Sequence, residues 1–182
     1  MNIALLATAA LAAAVCAPAM ASQAHAPQQM PKVGSKAPEF ALKGDDGKTY
    51  SLAAQRGKWV VLAFYPADMT PGCTLEARSL RDNMAAIRAT HAEVFGISVQ
   101  DVASHKRFCG AEKLNYRLLA DDKRQVAAMY GVLPNPNGNA KRTTFYIGPH
   151  GIIRRIDTSV NVTTHGKDVL AALKELMASS QS

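Results

Sequence analysis

Cysteine is scarce in this chain, with three among 182 residues, too few for a miniature scaffold built on disulfides. Aromatic residues make up 6% and tryptophan occurs once, so the core has to be mainly aliphatic. Acidic residues are outnumbered 14 to 21 by lysine and arginine, leaving a formal charge of +7. The basic positions, Arg78, Arg81, Lys106, Arg107, Lys123 and Arg154 among them, are dispersed, with no interleaved aromatics and no motif of a nucleic-acid interface. The five histidines lack metal-ligand spacing, and neither a metal nor any other cofactor is expected. No Cys-x-x-Cys pair is present, which disfavours a general thiol–disulfide oxidoreductase. Long apolar runs are missing outside the extreme N-terminus, so a multi-span membrane protein is excluded. The 48% of hydrophobic and 19% of charged residues fit a single globular domain.

Residues 1–31 contain no Lys, Arg, Asp or Glu. The apolar, alanine-rich run from Ile3 to Val15 is followed by Pro18 and by two small-x-small sites, Ala19-Met20-Ala21 and Ala24-His25-Ala26. That is the layout of a secretory signal peptide cleaved after Ala21 or Ala26. As a membrane anchor, its 13 apolar residues fall short of the ~20 that a span requires. Lipidation at Cys16 fits poorly, because Val15 stands where a small residue is wanted. The expected organisation is a signal peptide over 1–26, a flexible leader rich in Pro and Gln over 27–35, and one domain over 36–180. Such a protein is exported, to a bacterial periplasm, without stable membrane insertion. Cleavage removes Cys16 and leaves Cys73 and Cys109. Two thiols in an exported protein read first as a disulfide, either structural or redox-cycling.

Along the domain, Glu39–Leu42 and Lys48–Leu52 flank Gly44-Asp45-Asp46-Gly47 and predict a hairpin. The continuous apolar run Trp59–Tyr65 predicts a strand covered on both faces, and Glu93–Val99 another. Residues 71–90 read as a helix whose inner stripe is Leu80, Met84 and Ile87. Asp101 caps a second helix reaching Glu112. A strand over Tyr116–Ala120, a short helix over Lys123–Tyr130, a hairpin over Thr143–Ile156 and a helix over Asp168–Ser179 complete the chain. In the last helix Val169, Leu173, Leu176 and Met177 should face inward. Alternating strands and helices closed by a hairpin and a helix imply an α/β layered domain.

The chemistry concentrates at Cys73. Its strand ends near Tyr65 and its helix begins near Pro71, a residue favoured in the first turn. A thiol there meets unpaired backbone N–H groups and the positive end of the helix dipole, both of which favour a thiolate. Lowering a thiol pKa from ~8.5 to ~6 would raise the thiolate fraction at neutral pH roughly thirtyfold. The same placement also suits an inert, packed cysteine, and local physics alone leaves both readings open.

The pattern Pro66-x-x-x-Thr70-x-x-Cys73 resembles the active-site signature of peroxiredoxins. The longer string MTPGCTLEA is similar to the bacterioferritin-comigratory-protein, or peroxiredoxin Q, branch, as is Arg142-Thr143-Thr144-Phe145 downstream. The resemblance covers residues 33–178 or so. It implies a thioredoxin-like fold, with a central mixed sheet flanked by helices and an N-terminal hairpin, that reduces hydroperoxides without metal or haem. Cys73 matches the peroxidatic cysteine, Thr70 the hydroxyl that hydrogen-bonds peroxide and thiolate, and Pro66 the residue that shields the thiol. Arg142 matches the active-site arginine, whose permanent charge favours the thiolate and the leaving oxygen. Glu76 matches a carboxylate that orients the arginine.

Many members of that branch carry the resolving cysteine five residues after the first, where this sequence has Arg78. Others place it on the following helix, and Cys109, 36 residues after Cys73, fits that arrangement. Its seven-residue spacing from Val102 also suits a core position. The resemblance thus implies a monomer whose Cys73–Cys109 disulfide is recycled by a thioredoxin-like or other thiol reductant. Because thiols on two folded helices do not meet without movement, oxidation should change helix content. Two alternatives stay open: a one-cysteine peroxidase with Cys109 buried, and a non-catalytic redox sensor or binding module.

Overall fold

The run Trp59–Phe64 forms strand β3, buried at every position, in a computed structural model that describes residues 29–180. A strand apolar on both faces belongs in the interior of a sheet. Its neighbours are β4 (Ala92–Ser98), paired in parallel, and β6 (Thr143–Ile147), paired antiparallel. Beyond β4 lie β5 (Arg117–Ala120), again parallel, then β1 (Ala41–Gly44) and β2 (Thr49–Ser51), both antiparallel to their neighbours. β7 (Ile153–Asp157) closes the other edge against β6. The mixed seven-stranded sheet therefore runs β2-β1-β5-β4-β3-β6-β7.

Alternation along β3 divides the core. Val60, Leu62 and Phe64 join one cluster with Val126, Ala127 and Ala128 of α3 (Gln125–Met129). Val61 and Ala63 join the other with Leu80 and Met84 of α1 (Pro71–Arg88), Phe108 of α2 (Val102–Glu112), and Val169 and Leu173 of α4 (His165–Ser179). Helices thus cover both faces of a thioredoxin-like sheet. The expected stripe of α1 is its core face, with Leu80, Met84 and Ile87 at 2%, 1% and 0% exposure. In α4, Val169 and Leu173 are buried, while Leu176 and Met177 are half-buried against the same cluster.

Two helices differ from expectation at their starts. α3 begins at Gln125 because Arg124 adopts a left-handed backbone and the Asp121 carboxylate accepts from the N–H groups of Val126 (3.2 Å) and Ala127 (2.7 Å). α4 begins at His165, three residues before Asp168, which sits inside the first turn and accepts from the Thr164 hydroxyl at 2.7 Å. Gly166 makes this start possible. A Cβ there would stand 2.1 Å from the Ser79 carbonyl oxygen, so α4 crosses α1 closer than any side chain allows.

Gly34 and Ser35 at the end of the leader, and Lys36 after them, pair with the β7 side of the sheet, Gly34 N–H donating to the Ile153 carbonyl at 2.8 Å. The signal-peptide reading and Cys16 lie outside the described residues. Among the described residues, no helix is long and apolar enough to cross a membrane.

Candidate active site

β3 delivers the chain to Tyr65, and the Pro66–Thr70 loop turns it into α1 through Met69, whose φ is +58°. Thr70 takes the extended N-cap conformation and Pro71 opens the helix. Cys73 therefore sits in the first turn, where backbone N–H groups lack helical acceptors. Its side chain is 2% exposed. The Arg142 guanidinium, just before β6, donates to it, with Nη2 at 3.3 Å from Sγ. A permanent cation thus faces the sulfur directly.

Arg142 is held in turn. Its Nη1 meets Oε2 of Glu76, a carboxylate 3% exposed on α1 and one turn beyond Cys73. A buried carboxylate needs such a counter-charge. The second oxygen of Glu76 faces His165 Nδ1 at 2.9 Å, a close contact whose alignment falls short of a hydrogen bond. On its far side His165 Nε2 lies 2.9 Å from the Thr144 hydroxyl of β6. Burial, reinforced by the Arg142 charge, pushes His165 down to about 4. The ring is neutral at working pH, with one donor and one acceptor. With Nδ1–H turned to the carboxylate, the Thr144 hydroxyl would donate to Nε2.

Behind the thiol, Tyr65, Cys73, Glu76, Phe108 and Tyr116 line a cavity of about 10 Å³ for a water-sized sphere. That is one water at most, too little for a peroxide. On the loop and the first turns of α1, Met69 and Leu75 are 52% and 46% exposed.

A second polar cluster braces the loop. Asp68 accepts from the Tyr65 hydroxyl at 2.7 Å and the Ser104 hydroxyl at 2.6 Å, and meets His105 Nδ1 at 2.9 Å. Burial alone would raise the Asp68 carboxyl, but bonds from His105, Ser104 and Tyr65 outweigh it and hold it below the usual range. Four residues beyond His105 on α2, Cys109 is half-buried. Burial, together with the nearby Asp45 carboxylate, pushes its thiol up to about 12. Cys73 and Cys109 are both free thiols.

The structure thus joins three of the expected residues, Cys73, Glu76 and Arg142, in one contact chain. Pro66 and Thr70 lie on the adjoining loop, where the Thr70 hydroxyl donates to the Ala67 carbonyl at 3.1 Å instead of to Cys73. Cys109 stands apart on α2, whose fully buried side chains are His105 and Phe108. Sequence reasoning passed over His165, Thr144, Asp68 and His105. Metal-ligand spacing does not reveal these histidines, because each faces a buried carboxylate from a distant element, His165 that of Glu76 and His105 that of Asp68.

A thioredoxin-like sheet, a buried thiol in the first turn of the helix after its central strand, and a guanidinium facing the sulfur define a thiol-based redox protein. The model of the AhpC/TSA family matches residues 33–156. The chain is 44% identical over 124 residues to the chloroplastic peroxiredoxin Q of Triticum aestivum, covering 68% of this chain and 57% of the wheat protein, little more than half its length. It is 35% identical over 151 residues to peroxiredoxin Bcp of Bacillus subtilis strain 168, covering 80% and 96% respectively. The crystal structure of peroxidoxin BcpB from Mycobacterium tuberculosis superposes with a TM-score of 0.75 at 34% identity, over 81% of this chain and 98% of that one. The chain belongs to the AhpC/TSA family and is a peroxiredoxin, a thiol-dependent peroxidase similar to the Bcp and peroxiredoxin Q branch.

Proposed function

We propose that Cys73 is the peroxidatic thiol for hydrogen peroxide and small organic hydroperoxides. Its thiolate attacks one peroxide oxygen, the O–O bond breaks, and Cys73 becomes a sulfenic acid while the other oxygen leaves, protonated, as water or alcohol. The observation that carries this reading is the 3.3 Å contact between Arg142 Nη2 and Cys73 Sγ in the first turn of α1. The same guanidinium can stabilise charge growing on the leaving oxygen. Glu76 orients it. Thr70, on the exposed rim, turns its hydroxyl to the peroxide, and Pro66 shields the thiol from the loop side. Exposed Met69 and Leu75 offer apolar surface to an alkyl group.

Cys109 is the resolving thiol. Its thiolate attacks the Cys73 sulfenic sulfur and forms a disulfide, and the displaced hydroxide leaves as water. With the thiol pushed up to about 12 on docked α2, almost none is thiolate at neutral pH. α2 has to loosen, returning the thiol towards ~8.5, before resolution proceeds. A thioredoxin-like dithiol then reduces the disulfide by two electrons. The protein works as a monomer, exported to a periplasm after removal of residues 1–26, with the domain spanning 36–180.

Intact mass of the reduced domain before and after one equivalent of hydrogen peroxide tests this reading. Loss of two hydrogens, abolished by Cys73→Ser or Cys109→Ser, is expected. A gain of oxygen that depends on Cys73 alone would favour the one-cysteine reading, for which half-buried Cys109 on an intact helix speaks. No change within seconds would overturn the peroxidase role of Cys73.

A further inference from the structure

Asp68 belongs to the loop that presents Cys73, yet two of its three side-chain partners lie on α2, the helix of Cys109. Ser104 and His105 are 36 and 37 residues away in sequence. His105 is wholly buried, and its other nitrogen, Nε2, lies 3.1 Å from the Leu119 carbonyl of β5. Its two ring nitrogens thus face oxygens on two different elements, the Asp68 carboxylate of the loop and the Leu119 carbonyl of β5. The result is a buried polar contact joining loop and helix. α2 has little else to hold it: Phe108 is its one other fully buried side chain, and beyond it Arg78 and Arg81 bind Glu112 at the far end.

We propose that Asp68 and His105 form a latch whose two ends serve opposite steps of the cycle. At the loop end, the pair fixes the backbone between Pro66 and Thr70 in the shape that receives peroxide. At the helix end, the same pair keeps α2 wound and Cys109, one turn beyond His105, away from Cys73. Both are positioning residues, since neither touches the sulfur or the substrate. Removing one member of a buried polar contact leaves its partner's hydrogen-bonding group unsatisfied, so loop and helix loosen together. Peroxide attack then slows while disulfide formation speeds up. The inference rests on Cys73 as peroxidatic and Cys109 as resolving thiol.

The test is rapid-quench mass spectrometry of full-length reduced protein, following formation of the Cys73 sulfenic acid and its conversion to disulfide as separate rates. In Asp68→Asn, which keeps the shape and loses the charge, the first rate should fall and the second rise by about tenfold each, the size of a lost charge-assisted hydrogen bond. Ser104→Ala, which leaves the Asp68–His105 contact intact and threatens folding least, should shift both rates in the same opposed directions by about threefold, as expected for a neutral hydrogen bond. Val169→Ala, a core truncation on α4, serves as the control for general destabilisation and should not give opposed shifts. Rates that fall together, or that stay unchanged in both latch variants, overturn the proposal. Hydrogen exchange of the reduced proteins separates this failure from that of the underlying reading. If wild type forms no disulfide, Cys109 is not resolving, and the latch is then judged by exchange alone. Faster exchange in both 66–70 and 102–112 of Asp68→Asn supports it, and unchanged exchange overturns it.

Discussion

His165 is the residue that most changes how the site is understood. It touches neither sulfur nor substrate, yet it occupies the one oxygen of Glu76 that Arg142 leaves free. A neutral ring suits this task, because a second cation there would compete with Arg142 for the carboxylate. His165→Ala should reduce the rate of Cys73 with peroxide by about tenfold, the cost of a poorly held charge-assisted contact. His165→Asn, whose amide can replace Nδ1–H, should recover most of it. Stopped-flow oxidation of the two variants checks this, and equal losses in both would remove the positioning role. The same residue gives stability a pH dependence. Unfolded, its imidazole takes up a proton below about 6.5, whereas folded it does so only near 4. Stability is therefore whole above pH 6.5 and declines as pH falls towards 4, by about 3 kcal/mol from this group. Urea titrations at pH 7 and pH 4.5 should show a smaller decline in His165→Asn than in the parent.

At the scale of elements, what was legible followed from period and capping. The stripe Leu80, Met84, Ile87 repeats a spacing that only a helix buries on one face, and the short run WVVLAF of β3 is marked as a strand by its length and its β-branched and aromatic residues. Asp101 caps α2 as expected, accepting from Ser104 N–H at 2.7 Å. The start of α4 was not legible. His165 and Gly166 are weak helix formers, and their placement is decided by the close crossing with α1, which no local pattern records. The Asp68–His105 pair was hidden for the same reason. Cys109 carries a prediction that belongs to its helix. Because docked α2 holds its thiol far above neutrality, native Cys109 should alkylate with iodoacetamide at least tenfold more slowly than in urea, where a free thiol regains a pKa of ~8.5. Equal rates in the two conditions would show that α2 does not protect it.

On the scale of the whole molecule, the sheet acts as a mount. β3 sets the height of the loop, β6 brings Arg142 and Thr144 beside it, and two helices on one face supply Cys73 with Glu76 and, from α4, His165. The elements were readable from the sequence because each buries its own apolar face. Their convergence was readable only in part, through the resemblance that pointed to Cys73, Glu76 and Arg142. The contacts that brace those three residues come from a helix late in the chain.

That lateness matters during synthesis. Cys73 leaves the ribosome 92 residues ahead of His165, and a chain grows at ~5–20 residues per second. For several seconds the nascent polypeptide carries Cys73 without the helix that supplies His165 to Glu76. Until α4 docks over Ser79, the second oxygen of Glu76 has no histidine facing it.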